Sequence, residues 1–160
     1  MHGRIVAMTK HHRLGIAVSA ILVAIAAVTA YVTWYGLPVS RAPVTYFAYS
    51  YGGFGDCEWF FSNQVRVADL TVTTQDACPS SIAATRNVSQ QEMDQFLAAL
   101  DKSPFRRWRS HYADLTIIDG GGFRLIVEYA DGTEQMVDTL NKEPPGMAAF
   151  RDALDVLGIR

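Results

Sequence analysis

Residues 123–140 read FRLIVEYADGTEQMVDTL. Phe123, Leu125, Val127 and Tyr129 recur at every second position, the period of a strand with one buried face. Asp131-Gly132 follows, a pair favoured in two-residue hairpins because both central positions take positive φ. Residues 133–140 (TEQMVDTL) supply the return strand. An antiparallel hairpin is therefore the centre from which the rest of the chain is placed.

On the N-terminal side, Ser89-Gln90-Gln91-Glu92 is a capping box. Met93, Phe96, Leu97 and Leu100 then recur at helical spacing and form one apolar stripe, which Ser103-Pro104 terminates. On the C-terminal side, Pro144-Pro145 opens a last helix whose stripe is Met147, Phe150, Leu154 and Leu157. Further upstream, Phe47, Tyr49 and Tyr51 alternate as in a half-buried strand. Gly52-Gly53 and Gly55-Asp56 interrupt it as a turn or bulge. Residues 58–67 (EWFFSNQVRV) and 70–74 (LTVTT) are further strands, rich in aromatic and β-branched side chains. Residues 75–88 are polar and read as a loop. The expected architecture is α+β: an antiparallel sheet of about four or five strands with two helices packed on one face.

Residues 14–37 (LGIAVSAILVAIAAVTAYVTWYGL) contain no charge. About 20 apolar residues cross a bilayer as a helix, so the run reads as a transmembrane helix preceding the domain. Lys10, His11, His12 and Arg13 abut its start, Tyr31, Trp34 and Tyr35 lie at its end, and only Arg41 is close beyond. The positive-inside bias then places residues 1–13 as a cytoplasmic tail, 14–37 in the inner membrane, 38–43 as a linker and 44–160 as an extracytoplasmic or periplasmic domain. Val28-Thr29-Ala30 keeps a cleaved signal peptide, and a secreted or periplasmic product, as the alternative.

All sixteen acidic residues lie at or after Asp56, so the part from Arg41 onward carries a net −5. That excludes general nucleic-acid binding, which needs a cationic footprint. Cys57 and Cys78 are the only cysteines, and an even count in an exported domain suggests one disulfide. No metal-ligand spacing and no cofactor motif occurs. Asp119-Gly120-Gly121-Gly122 precedes a strand rather than a helix and so reads as a turn, not a phosphate cradle. His111, the one histidine of the domain, could act as a base with Ser110, Asp114 or Asp119, although no nucleophile motif surrounds it. Asn87-Val88-Ser89 is a formal glycosylation sequon.

Two surfaces stand out as partner-binding candidates. Phe105–Arg109 (FRRWR) gathers Arg106, Arg107 and Arg109 around Trp108 in an otherwise acidic domain. Residues 46–61 hold eight aromatic residues, among them Tyr49, Tyr51, Phe54 and Trp59, more than one sheet face can bury.

The order of YSYGGF (49–54), SQQEMDQFLAAL (89–100), GFRLIVEYADG (122–132) and PPGMAAFRDAL (144–154) resembles small bacterial α+β domains of unknown function. It is also similar to the emfourin family, inhibitors of thermolysin-like metalloproteases. That resemblance implies an α+β fold and a protease-inhibitor role.

The residues point to a non-enzymatic, membrane-anchored extracytoplasmic module. It would contact the lipid bilayer through its helix and a protein partner through its domain, an inhibitor or immunity-type protein being one version. An accessory subunit of a membrane complex, bound through small residues of the helix such as Gly15, Ser19, Ala20, Ala24 and Ala27, is the second expectation. An envelope hydrolase using His111 is the third.

Overall fold

A computed structural model of the chain describes residues 19–30, 37–53, 61–76, 83–117 and 120–159. The chain divides into two compact units, Met1–Gly36 and Leu37–Arg160. In the first, a helix (α1) occupies residues 19–30 and exposes every described side chain, Ile21, Leu22, Val23, Ile25 and Val28 among them.

Among the described residues no helix is long and apolar enough to cross a membrane. This overturns the transmembrane assignment of residues 14–37. With it go the single-pass inner-membrane placement and the inside–outside orientation.

The second unit is built on one seven-stranded sheet. Its strands are β1 (Val44–Gly53), β2 (Phe61–Arg66), β3 (Thr71–Asp76), β4 (Ala84–Asn87), β5 (His111–Ala113), β6 (Gly121–Tyr129) and β7 (Glu134–Leu140). The order is β4-β3-β2-β1-β6-β7-β5. Every neighbouring pair is antiparallel except β5 with β7, so the sheet is mixed. The expectation of four or five antiparallel strands is therefore corrected at both edges. β4 (ATRN) exposes all four side chains and so has no hydrophobic alternation, and β5 has only three residues. Short polar strands of this kind are how sheets blunt their edges.

The hairpin at Asp131-Gly132 forms, but only Gly132 takes positive φ (80°). The Gly132 N–H bonds the Tyr129 carbonyl, and the Tyr129 N–H bonds that of Thr133. This is a tight turn followed by a left-handed glycine, not a turn with two left-handed residues.

The helices α2 (Gln90–Leu100) and α3 (Met147–Val156) cover one sheet face. The Ser89 hydroxyl accepts from the Glu92 N–H, and the Glu92 carboxylate accepts from the Ser89 N–H, completing the capping box. Phe47 lies at the centre of the core, with Phe96 edge-on at 5.4 Å and Phe150 at 6.0 Å. Deleting a ring at Phe150 would cost about 3–5 kcal/mol.

The opposite face is polar and pairs with itself. The Ser50 hydroxyl donates to Ser62, Thr73 bonds Thr85, Arg124 bonds Asp138 at 2.7 Å, and Arg66 lies over the Tyr46 ring. Such a face can meet water directly, as antiparallel sheets allow.

Candidate functional site

The two partner-binding candidates of the sequence fare differently. Trp108 is buried at 3 % exposure; its indole N–H donates to the Pro145 carbonyl, and its ring packs 4.8 Å from Phe150. Arg106 lies over the rings of Phe105 and Tyr129, and its guanidinium donates to the carbonyls of Ser40 and Ala42 and to Asp101. It thus ties the segment entering β1 to the 3-10 turn Phe105–Arg107. Arg107 is half-buried and Arg109 exposed, the latter's backbone N–H donating to the Tyr112 hydroxyl. FRRWR thus turns Trp108 into the core and folds Arg106 onto the backbone of the segment entering β1, while Arg109 stays at the surface.

Beside this joint, the Tyr129 hydroxyl donates to Gln135 Oε1 at 2.6 Å, and Gln135 Nε2 donates to the Phe105 carbonyl. Burial pushes the Tyr129 phenol up to about 12, against the pull of Arg106.

His111 is exposed on the edge strand β5, in register with Asp138. Asp138 is engaged with Arg124, and the Asp114 carboxylate accepts from the Thr116 N–H and hydroxyl, which holds it below the usual carboxylate range. Neither carboxylate orients the imidazole, as a base would need. Asp119, Phe54, Trp59, Cys57 and Cys78 lie outside the described residues. No disulfide is seen among the described residues, and both ends of the expected Cys57–Cys78 bridge lie outside them. The same residues hold no cluster of three His, Cys, Asp or Glu that could bind a metal.

Tyr49 and Tyr51 mark a different place. The inward face of β1 carries Phe47 and Tyr49 into the core, and Tyr51, further along, emerges at 44 % exposure. There β1 pairs with the start of β6, Gly52 opposite Gly122 and Gly53 opposite Gly121. Gly121 and Gly122 are thus strand residues, not the turn their sequence suggests. A Cβ on Gly122 would come within 1.9 Å of the Thr139 carbonyl, so only glycine permits this β6–β7 approach. A Cβ on Gly121 would meet the Tyr51 hydroxyl at 3.1 Å, so the phenol lies back over this glycine.

The connection from β5 to β6 is clamped by Asn141, a left-handed residue (φ 57°) just after β7. Its N–H donates to the Gly121 carbonyl, and its side-chain amide donates to the carbonyls of Ile117 and Asp114. Its Oδ1 fills the position a Cβ on Gly120 would take. That oxygen is buried without a hydrogen-bond partner.

These elements leave a cleft with two lobes of about 350 Å³ each. Gly120–Phe123, Thr139, Asn141–Glu143 and Met147 line one lobe; Leu154, Asp155 and Ile159 line the other. Tyr49, Tyr51 and Arg151 line both. Burial pushes the Tyr49 phenol up to about 12, opposed by Arg151. Its ring packs against Phe123 and Phe150, yet no described group bonds its hydroxyl. Arg151 is paired with Glu143, both side chains more than half exposed. Two of the residues here, Tyr49 and Tyr51, stand out in the sequence; Asn141, Glu143 and Arg151 do not, and the only other signal was the glycine run.

No family model matches the chain, and no curated protein matches it.

Proposed function

We propose that residues 37–160 form a protein-binding module whose partner docks on the cleft around Tyr51. The observation that carries this reading is an exposed aromatic ring above a cleft floor in which the Tyr49 phenol has no hydrogen-bond partner among the described residues. Exposed tyrosines beside an arginine are typical anchors of protein interfaces. Binding suits these groups better than catalysis. The Tyr49 phenol, held up near 12, stays neutral at pH 7. The Thr139 hydroxyl accepts from the Phe123 N–H and donates to the Phe123 carbonyl, so it is not poised as a nucleophile.

A photo-reactive phenylalanine analogue at position 51, compared with one at position 46 on the open sheet face, tests this in cells of the source organism. A discrete protein adduct from position 51 alone is the expected result. The same adducts from both positions, or none from 51, would remove the proposal. Peptidase inhibition is one form of such binding. The emfourin-like order of elements makes a thermolysin-like protease the first enzyme to titrate.

A further inference from the structure

The two lobes of the cleft meet at Tyr49, Tyr51 and Arg151, so the polar groups stand between two pockets rather than at a rim. Resting on the reading that this cleft receives a protein partner, we propose that it takes the partner's C-terminal residue, with the terminal carboxylate seated between the Tyr49 hydroxyl and the Arg151 guanidinium.

Three observations converge on this chemistry. Tyr49 is only 6 % exposed, and its hydroxyl lacks a partner within the described residues. The hydroxyl lines the cleft and is not one of the buried unpaired atoms, so an incoming acceptor can take its proton in place of water. The same site offers Arg151, whose carboxylate partner Glu143 is largely solvent-exposed. An exposed ion pair of that kind is weak, so a second carboxylate can replace Glu143. Arginine holds carboxylates through paired N–H donors, and the phenol adds a third.

Shape then separates a chain terminus from other carboxylates. From one α-carbon a C-terminal residue sends out a carboxylate, a side chain and the preceding peptide. The junction accepts the first. The lobe bordered by Leu154, Asp155 and Ile159 admits the second, and the lobe along Gly120–Gly122 admits the third. An internal acidic side chain brings the carboxylate but leaves its main chain outside the junction, and fills neither lobe.

The test is an NMR titration of the isotope-labelled full chain with four probes: N-acetyl-Ala-Ala-Leu as the free acid, the same tripeptide as its amide, N-acetyl-Ala-Glu-Leu amide, and acetate. The free acid should give saturable shifts at Gly121, Gly122 and Arg151, and bind at least about tenfold more tightly than the other three. Tyr49→Phe and Arg151→Gln should each weaken it about tenfold, the loss of one charge-assisted hydrogen bond, while Glu143→Gln should strengthen it. Equal binding of acid and amide, equal binding of the internal-glutamate peptide or of acetate, or no saturable shifts with the free acid overturns the proposal. A cross-linked partner at position 51 together with any of these results leaves the binding module standing and removes only the C-terminal carboxylate.

Discussion

Tyr129 closes one end of the β1–β6 pair, Tyr49 sits near its middle opposite Leu125, and each has an arginine beside it. Burial drives both phenols up to about 12. They differ in what closes around the hydroxyl. At Tyr129, Gln135 accepts the phenol proton, and the guanidinium of Arg106 covers the ring while bonding two backbone carbonyls and Asp101. At Tyr49 the hydroxyl has no partner among the described residues, and Arg151 is engaged with a solvent-exposed glutamate. The same pair of residue types thus makes a joint where the donors converge on backbone. It makes an open site where they end on a surface side chain.

The largest way to break this comparison is to remove each arginine. Arg106→Ala strands the carbonyls of Ser40 and Ala42 and uncovers Tyr129, and should cost about 2–4 kcal/mol, since hydrogen bonds to a charged group are worth about 1.5–3 each and water recovers part. Arg151→Ala removes only an exposed ion pair and should stay within about 0.5 kcal/mol of the parent. Urea denaturation of the two variants side by side measures the contrast. Similar losses would mean that the Arg151 corner is as structural as the other.

That contrast also explains what was legible in the sequence. Capping and periodicity act over a few residues, so α2, with its Ser89–Glu92 box and its Met93, Phe96 and Leu100 stripe, was readable. The β6–β7 hairpin was readable for the same reason. Edge strands carry no such signal: Ala84–Asn87 has no buried side chain to betray its register. FRRWR shows cations and an aromatic, but not their direction, and Trp108 and Arg106 turn inward through bonds to Pro145, Ser40 and Ala42. The cleft draws Tyr49, Gly121, Asn141 and Arg151 from separate elements, so no local spacing could reveal it. The uncharged run at 14–37 reads as a span in sequence, whereas among the described residues no helix is long and apolar enough to cross a membrane.

A smaller effect sharpens the comparison at the hydroxyls themselves. Tyr129→Phe leaves Gln135 Oε1 buried without its donor and should cost about 1–2 kcal/mol by denaturant melt at neutral pH. Gln135→Met should cost about as much or more, because it deprives both the phenol and the Phe105 carbonyl. If Tyr129→Phe proved neutral, the Gln135 bond would not be what closes that corner.

Tyr49→Phe should give the smallest change at neutral pH, near zero, because the hydroxyl it deletes bonds nothing in the described structure. Its effect should emerge only in alkali. A tyrosine in the unfolded chain ionises near 10.0, while the folded Tyr49 keeps its proton to about 12. Between those values the unfolded state alone releases the proton, so its population is favoured as pH rises. The stabilisation is full below about pH 10 and is lost progressively toward pH 12. Tyr129 contributes the same sign over the same window. Replacing Tyr49 by Phe should therefore make the alkaline loss of stability shallower while leaving the value at pH 7 unchanged, as urea melts at several pH values can measure. Parallel alkaline slopes for the parent and Tyr49→Phe would show that Tyr49 ionises as freely folded as unfolded. The phenol would then be bathed by water through the cleft, and the desolvated floor on which a partner's carboxylate is proposed to sit would not exist.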